Sequence, residues 1–232
     1  MTDLPSPMPA LLPAPGSWPH TASRYGLEAG DPGPEWVALP AVFEGTAWAD
    51  SAEYAQQTAS ALVVRQREFT GETIDDDLDE RVAAQILDVY TRLFDLVDAH
   101  YHLLYWPDLR KPPVPVFLGV WEPVRDDTSA LVHYAGSFHH LETGGKNSIE
   151  EEFVTDSLGA GLRSLSFVPL SQDDPEDPDG LVGVLTYYWR TTSRPADVRL
   201  VAFTNELGRL YAALPDIDAF ADGIMLTDEP AG

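Results

Sequence analysis

Gly180-Leu181-Val182-Gly183-Val184-Leu185-Thr186-Tyr187-Tyr188-Trp189 is mainly apolar in both of its alternating sets of side chains. A half-exposed strand alternates apolar with polar residues, whereas a strand apolar on both sides lies centrally in a sheet covered on both faces. Val114 to Trp121 has the same character. These two runs predict a fold built around a sheet, with both of them near its middle. Working outward, Ser129 to Phe138 is strand-like and is separated from Val114–Trp121 by Glu122-Pro123-Val124-Arg125-Asp126-Asp127, which carries turn chemistry. The two read as a hairpin. Ser164 to Leu170 reads as a fourth strand, joined to the Leu181 strand by the acidic, Pro-rich loop 172–180.

Helices bracket the strands. Asp50 is placed to cap a helix running to about Phe69, with Glu53 in the capping-box position and Ala52, Ala55, Ala59, Leu62 and Val63 recurring on one face. A second helix carries Leu78, Val82, Ile86, Val89, Tyr90, Leu93 and Val97 within about 120° of arc. Asp75, Asp76, Asp77 and Asp79 sit at its start, where the helix dipole favours anions. Leu87 and Phe94 widen the stripe beyond what one neighbour covers, so this helix is expected to touch both a sheet and another helix. A last helix is predicted from Pro195, with Leu200, Phe203, Leu207, Leu210, Tyr211 and Leu214 as its stripe. Residues 139–163 are polar and Gly-rich and read as an irregular connection with a helical turn through Ile149, Phe153 and Val154.

The expected fold class is α+β: a central antiparallel sheet with helices packed on one face. The prolines at positions 5, 7, 9, 13, 15, 19, 32, 34 and 40 mark 1–40 as a Pro-rich arm, flexible or extended. In that arm Trp18, Tyr25 and Trp36 either anchor a partner or pack onto the chain's own domain. The remaining boundaries are a helical extension over 41–73, the main domain over 74–215, and an acidic tail over 216–232 that carries Asp216, Asp218, Asp222, Asp228 and Glu229. Because the terminal helices cover only one sheet face, the other is left to residues 139–163. An apolar face under a polar, Gly-rich lid is the usual form of a small-molecule pocket.

Composition narrows the function. The net charge is −24, from 38 acidic and 14 basic residues among 232, and only Lys111 and Lys146 are lysines. A field of that sign repels phosphate backbones and anionic lipid, which excludes nucleic acid and membrane surfaces as expected partners. It fits solubility, or docking to a basic protein. The absence of cysteine removes disulfides, zinc–thiolate sites and thiol nucleophiles. No run of about 18 apolar residues occurs and the Met1-Thr2-Asp3-Leu4-Pro5 start lacks a basic leader, so a cytoplasmic location is expected.

The chemistry-bearing residues point away from catalysis. His100, His102, His133, His139 and His140 would have to converge with a carboxylate such as Glu142 to hold a metal, and adjacent histidines chelate poorly together. The acidic loop 172–180 has the charge of a calcium site, but its prolines break the ligand pattern. Gly144-Gly145-Lys146-Asn147-Ser148 lacks phosphate-loop spacing, and no serine sits in a nucleophile-elbow context. Neither an enzyme nor a cofactor is expected.

Gly161-Leu162-Arg163-Ser164-Leu165-Ser166-Phe167-Val168-Pro169-Leu170, an acidic turn, Gly180 to Tyr188, a Pro-Ala-Asp helix start and a closing helix through Leu214 resemble the C-terminal half of a GAF domain. With the Leu78 helix and the hairpin, the likeness covers about 74–215. It implies a GAF/PAS-like sheet with a ligand pocket opposite the helices and pairing of terminal helices across a homodimer. It also implies a sensory or regulatory role, without an output module on this chain, that passes a signal to a separate protein. The residues it nominates for a small effector are Trp121, His133, His139, Phe153, Arg163, Ser166 and Tyr187. Arg163 either faces an anionic ligand or pairs with one of the many carboxylates. The cysteine-dependent activities of that family are excluded here, and the cyclic-nucleotide pattern is echoed by Lys146-Asn147, Phe153 and Asp156 only in the wrong order. The competing expectation is an acidic adaptor that uses a GAF-like scaffold to engage a basic partner.

Overall fold

The computed structural model describes residues 24–30, 32–71, 75–94, 99–123, 149–169 and 181–228. Helix α1 (Ser51–Thr70) starts where Asp50 accepts hydrogen bonds from the backbone N–H groups of Ala52 and Glu53, at 3.0 and 2.9 Å. Glu53 reaches back to the Ala49 N–H at 2.7 Å, a capping box displaced by one residue. The helix stops at Gly71, whose left-handed φ of 65° closes the last turn onto the Arg67 carbonyl. Helix α2 (Leu78–Arg92) buries Leu78, Val82, Ile86 and Val89, one per turn. It packs on α1 and on the sheet together, and Leu87, Tyr90 and Phe94 fill the join. The over-wide stripe is thus covered within one chain.

The strands are β1 (Gly26–Ala29), β2 (Trp36–Leu39), β3 (Tyr101–Tyr105), β4 (Val114–Trp121), β5 (Ile149–Thr155), β6 (Gly159–Pro169), β7 (Leu181–Thr191), β8 (Ala196–Thr204) and β9 (Ile224–Thr227). Seven form one antiparallel sheet in the order β2-β3-β4-β8-β7-β6-β5, while β1 and β9 pair separately. The fold is α+β. As the two-sided apolar patterns require, β4 and β7 flank β8 in the middle of the sheet.

Register assigns each residue to a face. Leu118 pairs with Leu200, and Leu200 with Tyr187. On that side Leu185, Trp189, Val198 and Ala202 join Leu210, Ala213, Ile217 and Phe220 of α3 (Leu207–Asp222). The opposite side carries Phe117, Val182, Val184, Val201 and Phe203, which pack with α1 and α2. Helices therefore cover both faces, which corrects the expectation of helices on one face only. The reason is that Val182, Val184, Val201 and Phe203 make one half of the second face apolar and in need of cover, while Thr186, Tyr188, Arg190, Asp197 and Arg199 make its other half polar.

Three further expectations change. The run from Ala196 is a strand, and Leu200 and Phe203, assigned to one helical stripe, lie on opposite sheet faces. The helix begins only at Leu207, after the Thr204 hydroxyl has accepted a hydrogen bond from the Glu206 N–H at 3.1 Å. Residues 149–163 extend the sheet as β5 and the start of β6 and do not cover it. They turn through Asp156-Ser157-Leu158 into Gly159, where φ is 80°. The acidic tail is structured to residue 228, since α3 runs through Pro215 to Asp222 and β9 follows, with Ile217, Phe220, Ala221 and Ile224 buried. The arm likewise contributes β1 and β2 from residue 26 onward. The expected strand 129–138 and the segment 139–148 lie outside the described residues. No described helix is long and apolar enough to cross a membrane.

Candidate functional site

Phe153, Arg163 and Tyr187 come together on the α3 side of β5, β6 and β7. Arg163 pairs in register with both Glu151 and Tyr187. Its guanidinium binds the carboxylates of Glu151 and Asp218, and the Tyr187 hydroxyl donates to the second oxygen of Asp218. Phe153 meets Tyr187 edge-on at 5.0 Å and lies 5.8 Å from the Arg163 guanidinium. Burial opposes the Arg163 charge, but the hydrogen bonds to Asp218 and Glu151 outweigh it and raise the pKa. Tyr187 is driven well above its ordinary value by burial first, then by the bond to Asp218 and its charge. Of the two roles open to Arg163, pairing with the chain's own carboxylates is the one the geometry displays. The cluster clamps α3 to the sheet.

The other nominated residues lie elsewhere. Trp121 is on the opposite face, lying over Gly119 with the Arg199 guanidinium 4.9 Å from its ring. Ser166 shares that face and sits 3.4 Å from the Ser164 hydroxyl. His133 and His139 lie outside the described residues. The five described members are therefore split between two sheet faces. Among the described residues no three metal-ligating side chains converge. His100 instead accepts a hydrogen bond from the Val120 N–H at 3.1 Å, and His102 stacks on Phe94 at 3.8 Å.

A separate cleft of about 280 Å³ opens between the N-terminal strands and the end of α3. Trp36, Tyr105, Phe220, Gly30, Ala219 and Gly223 line it, and Glu35 and Asp216 supply its charge among the described residues. Trp36 stacks on Phe220 at 4.5 Å and leans on Tyr105 at 5.2 Å. Sheet pairing sets this arrangement, because Trp36 and Tyr105 are register partners on β2 and β3. The Tyr105 hydroxyl donates to Asp216, holding that carboxylate at the cleft. Its own pKa rises through burial first, then through Asp216 and the charge of Glu35.

Neither a known protein family nor any curated protein matches the sequence. Of the cleft residues, sequence alone points to Trp36, as an anchor for a partner or as packing onto the chain's own domain, and to Asp216, as part of the acidic tail, while Glu35, Tyr105 and Phe220 carry no local motif. Chemically, the cleft offers an apolar aromatic rim and the carboxylate oxygens of the exposed Glu35 and Asp216, a combination that favours cations over anions.

Proposed function

We propose that this chain is a non-catalytic, acidic interaction module of the cytoplasm that engages a basic protein partner. The observation that carries the reading is how the chain uses its few cations. Arg81, Arg92, Lys111, Arg163, Arg190, Arg194 and Arg209 each pair with a carboxylate of the same chain. Each such pair is neutral, so the net charge of −24 resides on the other residues, 31 acidic against seven basic. Among these, Glu150 and Glu152 are exposed on the outermost described strand of the sheet, beside Val154. A surface of one sign speeds and orients encounter with a partner of the other.

Isolation of the intact chain from its own cells at low salt, followed by native mass spectrometry across a salt series, tests this. Retention of a basic protein at about 50 mM salt and its release at about 500 mM, where the screening length falls to roughly 4 Å, is the expected result. A chain that carries no basic protein at any salt concentration refutes the reading.

The second reading is a GAF-like regulatory domain that senses a small effector, works as a homodimer and signals to a separate output protein. It is favoured by the pairing of the two motif-bearing segments as adjacent strands β6 and β7. It ranks second because helices pack on both sheet faces and the five described ligand candidates are split between those faces. The same spectra separate the two readings, since a retained small molecule on a two-chain species supports the sensor.

A further inference from the structure

We infer that the cleft beside Trp36 is a receptor for a basic side chain, arginine in the first place, presented by the protein partner. The inference deepens the proposed function and rests on it for the identity of the partner. Three observations converge on this chemistry. The cleft is lined by three aromatic residues, Trp36, Tyr105 and Phe220, which are at most 9 % exposed and packed on one another, so they give it an apolar rim against which the aliphatic stem of a long cationic side chain can lie. Among the described residues its charged lining consists of Glu35 and Asp216, both carboxylates, and no basic residue lines it. One of these is fixed in place: Tyr105 spends its hydroxyl proton on Asp216, so the carboxylate is oriented before any ligand arrives.

A planar guanidinium suits this cleft better than a compact ammonium does, since its fork of N–H donors bonds a carboxylate through both oxygens while the stem stays on the apolar rim. Charge complementarity also sets the sense of the interaction. A net charge of −24 draws basic segments to the whole surface, and the cleft would then select those that present a side chain long enough to enter it.

The test uses Nα-acetyl-argininamide as the probe and its neutral isostere, Nα-acetyl-citrullinamide, as the control, each titrated into the full chain. The readout is the indole N–H resonance of Trp36, assigned among the six tryptophans by its disappearance in Trp36→Phe. The expected result is a saturable shift with the arginine probe and none with citrulline. Glu35→Gln, at an exposed position, should weaken the arginine probe about fivefold or more while leaving the remaining indole resonances in place. Asp216→Asn should act in the same direction. Failure of the Trp36 resonance to move, equal shifts from both probes, or unchanged affinity in Glu35→Gln would each overturn the inference. Its failure is distinguishable from failure of the proposed function. If the basic partner is still retained at low salt by Glu35→Gln as strongly as by the native chain, the acidic module stands and the cleft is not its receptor. If the arginine probe binds at Trp36 but no basic protein accompanies the native chain, the cleft assignment stands and the partner reading falls.

Discussion

Gly161 shows how closely single residues are fitted on the α3 side of the sheet. A β-carbon there would lie 2.4 Å from Trp189 Cδ1 and 2.6 Å from the Tyr188 carbonyl oxygen. Neither neighbour has room to give. Trp189 is fully buried and stacks on Tyr187 at 5.8 Å, and the Tyr188 carbonyl belongs to the paired strand β7. At Gly183, by contrast, an added β-carbon would crowd the side-chain tips of Leu210 and Leu207, at 2.7 and 2.9 Å, which can rotate, and would meet the Thr204 carbonyl oxygen at an ordinary 3.7 Å. Gly161→Ala is therefore expected to destabilise the fold by about 1–3 kcal/mol, the ordinary cost of overpacking, with Gly183→Ala costing less. Denaturant midpoints of the two variants measure the contrast, and equal losses would show that the Trp189 ring is not the constraint.

At the scale of elements, α3 is the instructive case. Pro215 lies inside the helix, where it removes one backbone hydrogen bond and crowds the preceding turn, at a typical cost of about 3 kcal/mol. The helix nevertheless continues to Asp222, because Ile217, Phe220 and Ala221 bury their side chains against β1, β9 and the sheet. Tertiary packing overrides the local penalty. Pro215→Ala should accordingly stabilise the protein, by about 2 kcal/mol once the extra freedom of the unfolded chain is deducted. A lower thermal midpoint in that variant would mean that the proline ring, or the backbone conformation it imposes, is itself needed for packing. The same helix marks where sequence stops being legible. α1 and α2 were readable because Asp50 caps the one and apolar residues recur once per turn in the other, and β4 and β7 because both of their alternating sets are apolar. The junction of β8 with α3 was not, since Leu200, Phe203, Leu207 and Leu210 keep helical spacing across a change of structure. The cleft was less legible still. Tyr105 and Asp216 are 111 residues apart, and only the return of α3 to the N-terminal strands brings them together.

For the molecule as a whole, the buried tyrosines and the acidic surface both oppose alkaline conditions, but for different reasons that salt separates. Tyr54, Tyr90, Tyr105, Tyr187 and Tyr188 all have raised pKa values, and burial is the leading cause in each. Below the unfolded tyrosine value of about 10, both folded and unfolded chains keep these protons and the stabilisation is whole. Above it the unfolded chain releases protons that the folded chain retains. Stability then falls by about 1.4 kcal/mol per pH unit for each such tyrosine until its folded pKa is reached. The chain should therefore unfold cooperatively above pH ~10, with phenolate absorbance rising in step with loss of circular dichroism and not before it. Mutual repulsion of surface carboxylates is already complete at pH 7 and is screened by salt, whereas desolvation of a buried phenolate is not. Addition of about 0.5 M salt is thus expected to raise stability at neutral pH while leaving the slope of stability against pH above ~10 unchanged. Phenolate formation near pH ~10 in a chain that keeps its native circular dichroism would place these hydroxyls in solvent and remove the desolvation argument, and a slope that flattens with salt would assign the alkaline loss to surface charge instead.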